Sequence, residues 1–175
     1  EQAITLANQV LEEVGSGPAA AEALYMRGRA YEHRIAKSDA ELAQNLQAAR
    51  ASYLAAMGQR PSPQLMSYIR ASLGKVAFFQ DDFQTAAQQL WLAYNELRDD
   101  ETKAASLFYL GKTQQRTGQF GQADQTFATV MRRFGGSVWA ERAKQIQGNK
   151  PFYIQLAVYT KVESMEAAVK LIEQR

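Results

Sequence analysis

The amino-acid sequence predicts an all-α solenoid of helical hairpins, followed by a short α+β tail. A frame of small and large residues recurs three times in the first 130 residues. Up to about residue 150 the chain is rich in Ala and Gln and poor in β-branched residues, a composition that favours helix. After residue 150 the apolar pattern changes, which indicates a different kind of structure.

The repeated frame is a glycine in one helix and two small residues around a large one in the next. Its copies are Gly28, Ala49, Tyr53 and Ala56; Gly74, Ala86, Leu90 and Ala93; and Gly111, Ala123, Phe127 and Val130. The offsets are 12, 4 and 3 in the last two copies, and the first copy stretches its first offset to 21. Small residues let two helices approach, and the large residue fills the groove beside them. Because one pair cannot bury its own apolar face, the pairs are expected to stack.

The first third of the chain predicts three helices. Residues 4–14 have helical spacing and are interpreted as the second helix of a pair whose first helix lies upstream, in a longer chain. The next helix is predicted over 19–36, with Met26 and Ile35 among its apolar positions. Ser38 begins a capping box that opens a helix running to residue 57. This pair has nine extra residues, so longer helices or a longer corner are expected.

The remaining helices are bounded by turn and capping residues. Pro63 suits a first helical position, and Asp81 and Asp82 suit a turn and cap. Acidic residues at 99–101 match the dipole of a helix start, and Gly118 suits a left-handed cap. The helices are predicted over 64–79, 83–97, 102–116, 122–134 and 138–146. A repeat domain over 1–147 would thus contain pairs at about 20–60, 63–98 and 101–135 and a capping helix at 138–147.

The tail begins after a linker at 148–151. Aromatic and β-branched residues at 152–159 predict a strand, and a second capping box precedes a helix predicted over 164–173. One strand and one helix cannot form a core alone. The strand is therefore expected to pair with a second copy or to dock on the repeats, as the beginning of an incomplete domain over 152–175.

Composition excludes several classes of function. A net charge of +2 without a long basic run argues against nucleic-acid binding. The absence of Cys excludes disulfides, and no apolar run is long enough for a membrane span. His33 is the only histidine, so neither a metal site, a cofactor nor an enzymatic activity is expected. Trp91 and Trp139 are interpreted as packing residues between helices.

The frame resembles that of tetratricopeptide repeats over residues 20–146. The third copy fits best, through Leu107, Leu110, Gly111, Gly118, Phe120, Ala123 and Phe127. The second copy has Asp81 where glycine is usual in the family and Leu90 where an aromatic is usual, and the first copy carries the insertion. Residues 134–140 resemble the turn into the final helix of envelope tetratricopeptide proteins, with Gly135 where proline is commoner.

The tail resembles the opening of a SPOR domain, through residues 152–159 and the Ala-rich helix around residues 166–168. That family has a βαββαβ fold and binds peptidoglycan glycan strands that lack peptide stems. Gln155 fits the family's strand glutamine and is the candidate glycan-binding residue, whereas Ala157 and Tyr159 replace the usual glycine and phenylalanine. The resemblance implies a bacterial envelope protein, in the periplasm or associated with the outer membrane.

A basic residue follows each frame glycine, and this basic row consists of Arg29, Lys75 and Lys112. In tetratricopeptide superhelices the first helix of each pair lines the concave face, so the resemblance implies a row of cations there. The candidate partner-binding residues are Tyr25, Arg29, Tyr68, Lys75, Phe78, Phe108 and Lys112, with Phe79 nearby. Such a groove suits an extended peptide with an acidic residue or a free carboxylate. The alternative is a solvated helix face whose aromatic residues form the core between repeats.

These features predict a non-enzymatic envelope scaffold that recruits a protein or peptide and is directed to peptidoglycan by its tail. Two alternatives remain at this point. One is a cytoplasmic repeat adapter whose β tail serves self-association, and the other is the regulatory arm of a cell-wall hydrolase. A complete glycan-binding domain beyond Arg175 would favour the envelope, and muropeptide release by the full-length protein would favour the hydrolase.

Overall fold

The computed structural model describes residues 1–148, and all regular structure in that part is α-helix. The helices are α1 (Gln2–Val14), α2 (Pro18–Glu32), α3 (Asp39–Met57), α4 (Pro63–Phe79), α5 (Phe83–Glu96), α6 (Asp100–Arg116), α7 (Phe120–Arg133) and α8 (Val138–Ile146). Connections of three to six residues make consecutive helices antiparallel neighbours. The all-α prediction is confirmed for this part, and the tail at 152–175, including Gln155, lies outside the described residues.

The helices stack in two layers. Helices α2, α4, α6 and α8 contact one another in sequence and form what we call the inner layer. Helices α3, α5 and α7 each contact the inner helices before and after them. Over residues 1–148 these three do not contact each other, and we call them the outer layer. A helical repeat with one continuous inner surface follows from this arrangement.

The frame residues set the close approach within each pair. Gly28 faces Tyr53, Gly74 faces Leu90, and Gly111 faces Phe127. A Cβ atom built on Gly111 would lie only 2.5 Å from a ring carbon of Phe127, whose side chain is fully buried. No side chain larger than hydrogen fits at this position without displacing its neighbour, so the repeated glycine reflects packing.

The nine extra residues of the first pair lengthen both its outer helix and its corner. Ala49 is the eleventh residue of α3, whereas Ala86 and Ala123 are the fourth residues of α5 and α7. The extension of α3 is therefore about two helical turns. The corner at 33–38 has six residues, against three in each of the other two pairs. Arg34 in this corner makes an ion pair of 2.6 Å with Glu1.

Several helix starts carry the side-chain caps that the sequence predicts. The Ser38 hydroxyl accepts from the Glu41 N–H at 3.2 Å, and Asp82 and Asp99 accept from backbone N–H groups of α5 and α6. Gly118 has the predicted left-handed backbone, with φ of 77°. Asp81 also has positive φ, 58°, a conformation that Asp tolerates better than most residues.

Three local predictions are wrong. Helix α2 ends at Glu32 instead of near residue 36, because the N–H groups of residues 33 and 34 already close the last turn onto α2 carbonyls. Ile35 and Met26, predicted as apolar contacts of that helix, are 89% and 59% exposed. Trp91 is 53% exposed and so does not pack between helices. Trp139 does pack as predicted, with its ring centroid 5.4 Å from that of Phe108.

Candidate functional site

The inner layer lines a cavity of about 200 Å³, which we call the inner cavity. Every inner helix contributes to its wall, which includes Arg29, Glu32, His33, Lys75, Tyr109 and Trp139. Of the predicted basic row, the structure brings Arg29 and Lys75 together here. The inner cavity is therefore the place where residues from all stacked units can contact one ligand.

A buried carboxylate lies between two of the repeated units. The Glu32 side chain is only 7% exposed and makes an ion pair of 2.8 Å with Lys75. It also accepts a hydrogen bond of 2.5 Å from the Tyr53 hydroxyl. Burial, together with the charge of Glu32, raises the pKa of Tyr53, so this phenol stays protonated. The pair removes much of the positive charge that Lys75 would otherwise bring to the inner cavity.

Arg29 makes no ion pair in the described residues, although the charge of Glu32 acts on it and helps to raise its pKa. Its Nη1 donates to the Tyr25 hydroxyl at 3.1 Å, and its Nη2 lies 3.1 Å from Nε2 of His33. Its Nε is buried and has no hydrogen-bond partner among residues 1–148. Because the Nε is buried, a carboxylate in the inner cavity could contact only the Nη groups of this guanidinium, each of which has a second N–H.

Tyr109 and Trp139 form an aromatic wall of the inner cavity. Their ring centroids are 5.8 Å apart, and Trp139 Nε1 donates to a Glu101 carboxylate oxygen at 2.7 Å. The Lys75 Nζ lies 5.9 Å from the Tyr109 centroid, within the range of a cation–π contact. Apolar side chains of a ligand can pack against this wall while its charges contact the basic residues.

Lys112 lies in a neighbouring cavity of about 460 Å³, with Phe78, Phe79 and Arg116. Its Nζ is 5.2 Å from the centroid of the Phe78 ring. Burial, and to a lesser extent the charges of Arg116 and Arg142, lower the pKa of Lys112. In the described part of the chain no carboxylate lies within ion-pair distance of it.

The predicted aromatic residues occupy three different environments. Phe78 and Phe108 are 5% and 6% exposed and belong to the core between the last two pairs. Tyr25 contacts Arg29 and lies with its ring centroid 5.9 Å from that of Tyr53. Tyr68 lines a separate cavity of about 650 Å³ beside the ion pair of Arg70 and Glu96.

Sequence reasoning missed the roles of Glu32, Tyr109 and Trp139. Tyr109 carried a usable signal, because it precedes Lys112 by three residues and so shares its helix face. Glu32 and Trp139 carried none. Their contacts depend on which helices become neighbours after the units stack.

The chain matches no protein family, no curated protein and no solved structure with which it was compared. Among the helices of residues 1–148, none is both long and apolar enough to cross a membrane. Nor do three His, Asp or Glu side chains of that part come together as a metal site. Function is therefore inferred from the arrangement of this chain's own residues.

Proposed function

We propose that this chain is a non-enzymatic scaffold of tetratricopeptide-like helix pairs that binds an extended segment of a partner protein. The observation that carries the proposal is the inner cavity, where all four inner helices present side chains to one space. Its wall combines the cation of Arg29 with the aromatic rings of Tyr109 and Trp139. This combination suits a peptide with an acidic group and a neighbouring apolar side chain.

The basic residues of the inner layer offer contacts to an acidic ligand, although Glu32 and Glu101 also line the inner cavity. Arg29 and Lys112 make no ion pair within residues 1–148, and Lys75 has donors beyond the one directed at Glu32. A carboxylate in the inner cavity could accept from the Nη groups of Arg29. Lys112, in the neighbouring cavity, offers a second contact to a longer peptide.

The test is selection of peptides from a displayed random library, followed by binding measurements with fluorescence anisotropy. The variant Arg29→Gln/Lys112→Gln should weaken the selected peptides about tenfold or more, because a hydrogen bond to a charged group contributes about 1.5–3 kcal/mol. Lys75 is left intact, since its removal would leave the buried Glu32 without its cation. Neutral replacements are used because an acidic residue at position 29 would repel Glu32. Arg132→Gln is the matched control, because Arg132 is exposed on α7 and its side chain makes no hydrogen bond or ion pair in the described residues.

Two results would overturn the scaffold proposal. One is peptides that bind the double variant as tightly as the unmodified protein. The other is a library that yields no peptide sensitive to the inner layer. Circular dichroism of both variants establishes that the helices are retained, so a loss of binding reports on the contacts alone.

We further propose that the tail directs the scaffold to peptidoglycan in the bacterial envelope. This part is supported by the resemblance of residues 152–159 to a SPOR strand, with Gln155 as the glycan-binding residue. The full-length protein should sediment with purified sacculi, and Gln155→Ala should reduce the bound fraction. Sedimentation that survives deletion of 149–175 would contradict it. Loss of self-association on the same deletion, without sacculus binding, would favour the adapter with a β tail.

A further inference from the structure

Helices α5, α6 and α7 enclose a second groove, of about 630 Å³, on a different face of α6 from the inner cavity. We call it the glutamine groove, after Gln114, Gln122 and Gln125 in its wall. Its volume falls within the ~300–1,000 Å³ typical of small-molecule sites. None of these residues takes part in the proposed peptide binding, so a ligand of this groove would be distinct from the peptide.

An aromatic platform forms one side of the glutamine groove. Trp91 is 53% exposed, and its ring centroid lies 6.1 Å from that of Tyr94 at an interplanar angle of 36°. The Tyr94 hydroxyl accepts from Arg133 at 2.8 Å, and the Asn95 side chain donates to the Trp91 carbonyl at 2.7 Å. The Arg133 bond fixes the Tyr94 ring beside the indole, and the indole itself remains accessible.

The polar wall of the groove is rich in uncharged groups. Its side chains include three Gln, one Asn and two Thr. Among residues 1–148 no carboxylate lines it, and the one cation, Arg133, donates to Tyr94. Gln122 and Gln125 are exposed and make no side-chain hydrogen bond within residues 1–148. The Thr126 hydroxyl donates to the side-chain oxygen Oε1 of Gln114 at 2.7 Å, which leaves the side-chain N–H groups of Gln114 available.

We propose that the glutamine groove is a binding site for a neutral oligosaccharide. A pyranose ring presents an apolar face of C–H groups, which packs on an exposed indole such as Trp91. Its hydroxyl groups both donate and accept, as the side-chain amides of Gln114, Gln122 and Gln125 do. An acidic peptide would meet a single cation among residues 1–148, Arg133, and an acyl chain would leave the amides without new partners. The lining therefore favours a polyhydroxylated ligand over both.

Tryptophan fluorescence gives a direct test, because the chain contains two Trp residues. In the Trp139→Phe variant, Trp91 is the only tryptophan and reports on the groove alone. The probes are the tetramer of N-acetylglucosamine and cellotetraose. Either sugar should shift the emission to shorter wavelength in a saturable way, with a dissociation constant on the order of 1 mM. No shift with either sugar at about 10 mM, tenfold above that constant, would overturn the proposal.

A double variant and a control variant distinguish binding by the whole groove from nonspecific adsorption of the sugar to the indole. Gln122→Ala/Gln125→Ala in the same background should weaken binding about fivefold or more, as expected for the loss of two hydrogen bonds. Gln47→Ala is the control, because Gln47 is an exposed glutamine of α3 outside the groove. Equal affinity of the double variant and the control would also overturn the proposal. Arg29→Gln/Lys112→Gln should leave sugar binding unchanged, so failure of this site and failure of the peptide site are distinguishable.

Discussion

Replacing Gly111 by alanine should destabilise the protein, although alanine is the better helix former. The new Cβ would lie 2.5 Å from Cε1 of Phe127 and 2.9 Å from two further ring carbons. The Phe127 side chain is fully buried and packs against Phe108, with ring centroids 5.9 Å apart. The ring cannot withdraw without disturbing the core, so the two helices must separate.

The magnitude follows from two opposing effects. Overpacking a well-packed core costs about 1–3 kcal/mol. Replacing a glycine in a helix interior by alanine returns about 1 kcal/mol. The net loss for Gly111→Ala is therefore about 0–2 kcal/mol. Gly121, in the first turn of α7, has nothing within 4 Å of the position that an added methyl group would take, so Gly121→Ala should be neutral or stabilising.

Urea unfolding of the two alanine variants measures the difference directly. The variant at Gly111 should be less stable than that at Gly121 by about 1–3 kcal/mol, the overpacking cost alone. In a Phe127→Ala background the clash is absent, and Gly111→Ala should no longer destabilise; the resulting coupling energy should be about 0.5–3 kcal/mol. Equal stability of the two single variants would refute the explanation of the repeated glycine as a close-approach residue.

Two further predictions concern charge. Lys75→Met should lower the free energy of unfolding by about 1–3 kcal/mol, because it leaves the buried Glu32 without its cation while Lys75 itself is partly exposed. Lys112→Met should be neutral or stabilising, since burial lowers the pKa of Lys112 and no described carboxylate pairs with it. Urea unfolding measures the free energy of unfolding of both variants. A larger loss for Lys112→Met than for Lys75→Met would contradict the assignment of Lys75 as the partner of Glu32. The Arg50 hydrogen bond holds the pKa of Asp82 below its usual 3.8, so this stabilisation is complete above pH 3.8 and lost as the pH falls through the lower folded-state value. Asp82→Asn should therefore lower the thermal unfolding temperature at pH 7 but not in strong acid. If the two proteins differed equally at both pH values, the Arg50–Asp82 pair would not be the cause.

Features of the fold that depend on local chemistry were predictable from the sequence. Pro63 and Gly118 mark a helix start and a helix end because their backbone preferences act within a few residues. The glycine frame was predictable because small residues at fixed spacing favour close helix packing. The end of α2 could not be predicted, because Tyr31 and Ile35 continue a helical apolar pattern past Glu32, where the helix stops.

The residues that line the inner cavity were harder to predict from the sequence than the fold. The spacing of Arg29 and Lys75 predicted that both lie on first helices, and the structure places both at one cavity. Their different charge environments depend on Glu32, which reaches Lys75 only because α2 and α4 become neighbours. Contacts between side chains more than 40 residues apart have no local signature in a single sequence.

The long first pair bears on how the chain avoids misassembly. An array of similar hairpins runs the risk that one hairpin docks where its neighbour belongs, or exchanges places with the equivalent hairpin of another molecule. The second and third pairs have helices of the same lengths, 17 and 14 residues, so their shapes alone distinguish them little. The two extra turns of α3 and the ion pair of Arg34 with Glu1 have no equivalent in those pairs. A hairpin of the second or third pair therefore cannot reproduce the packing of the first, which disfavours exchange between these positions.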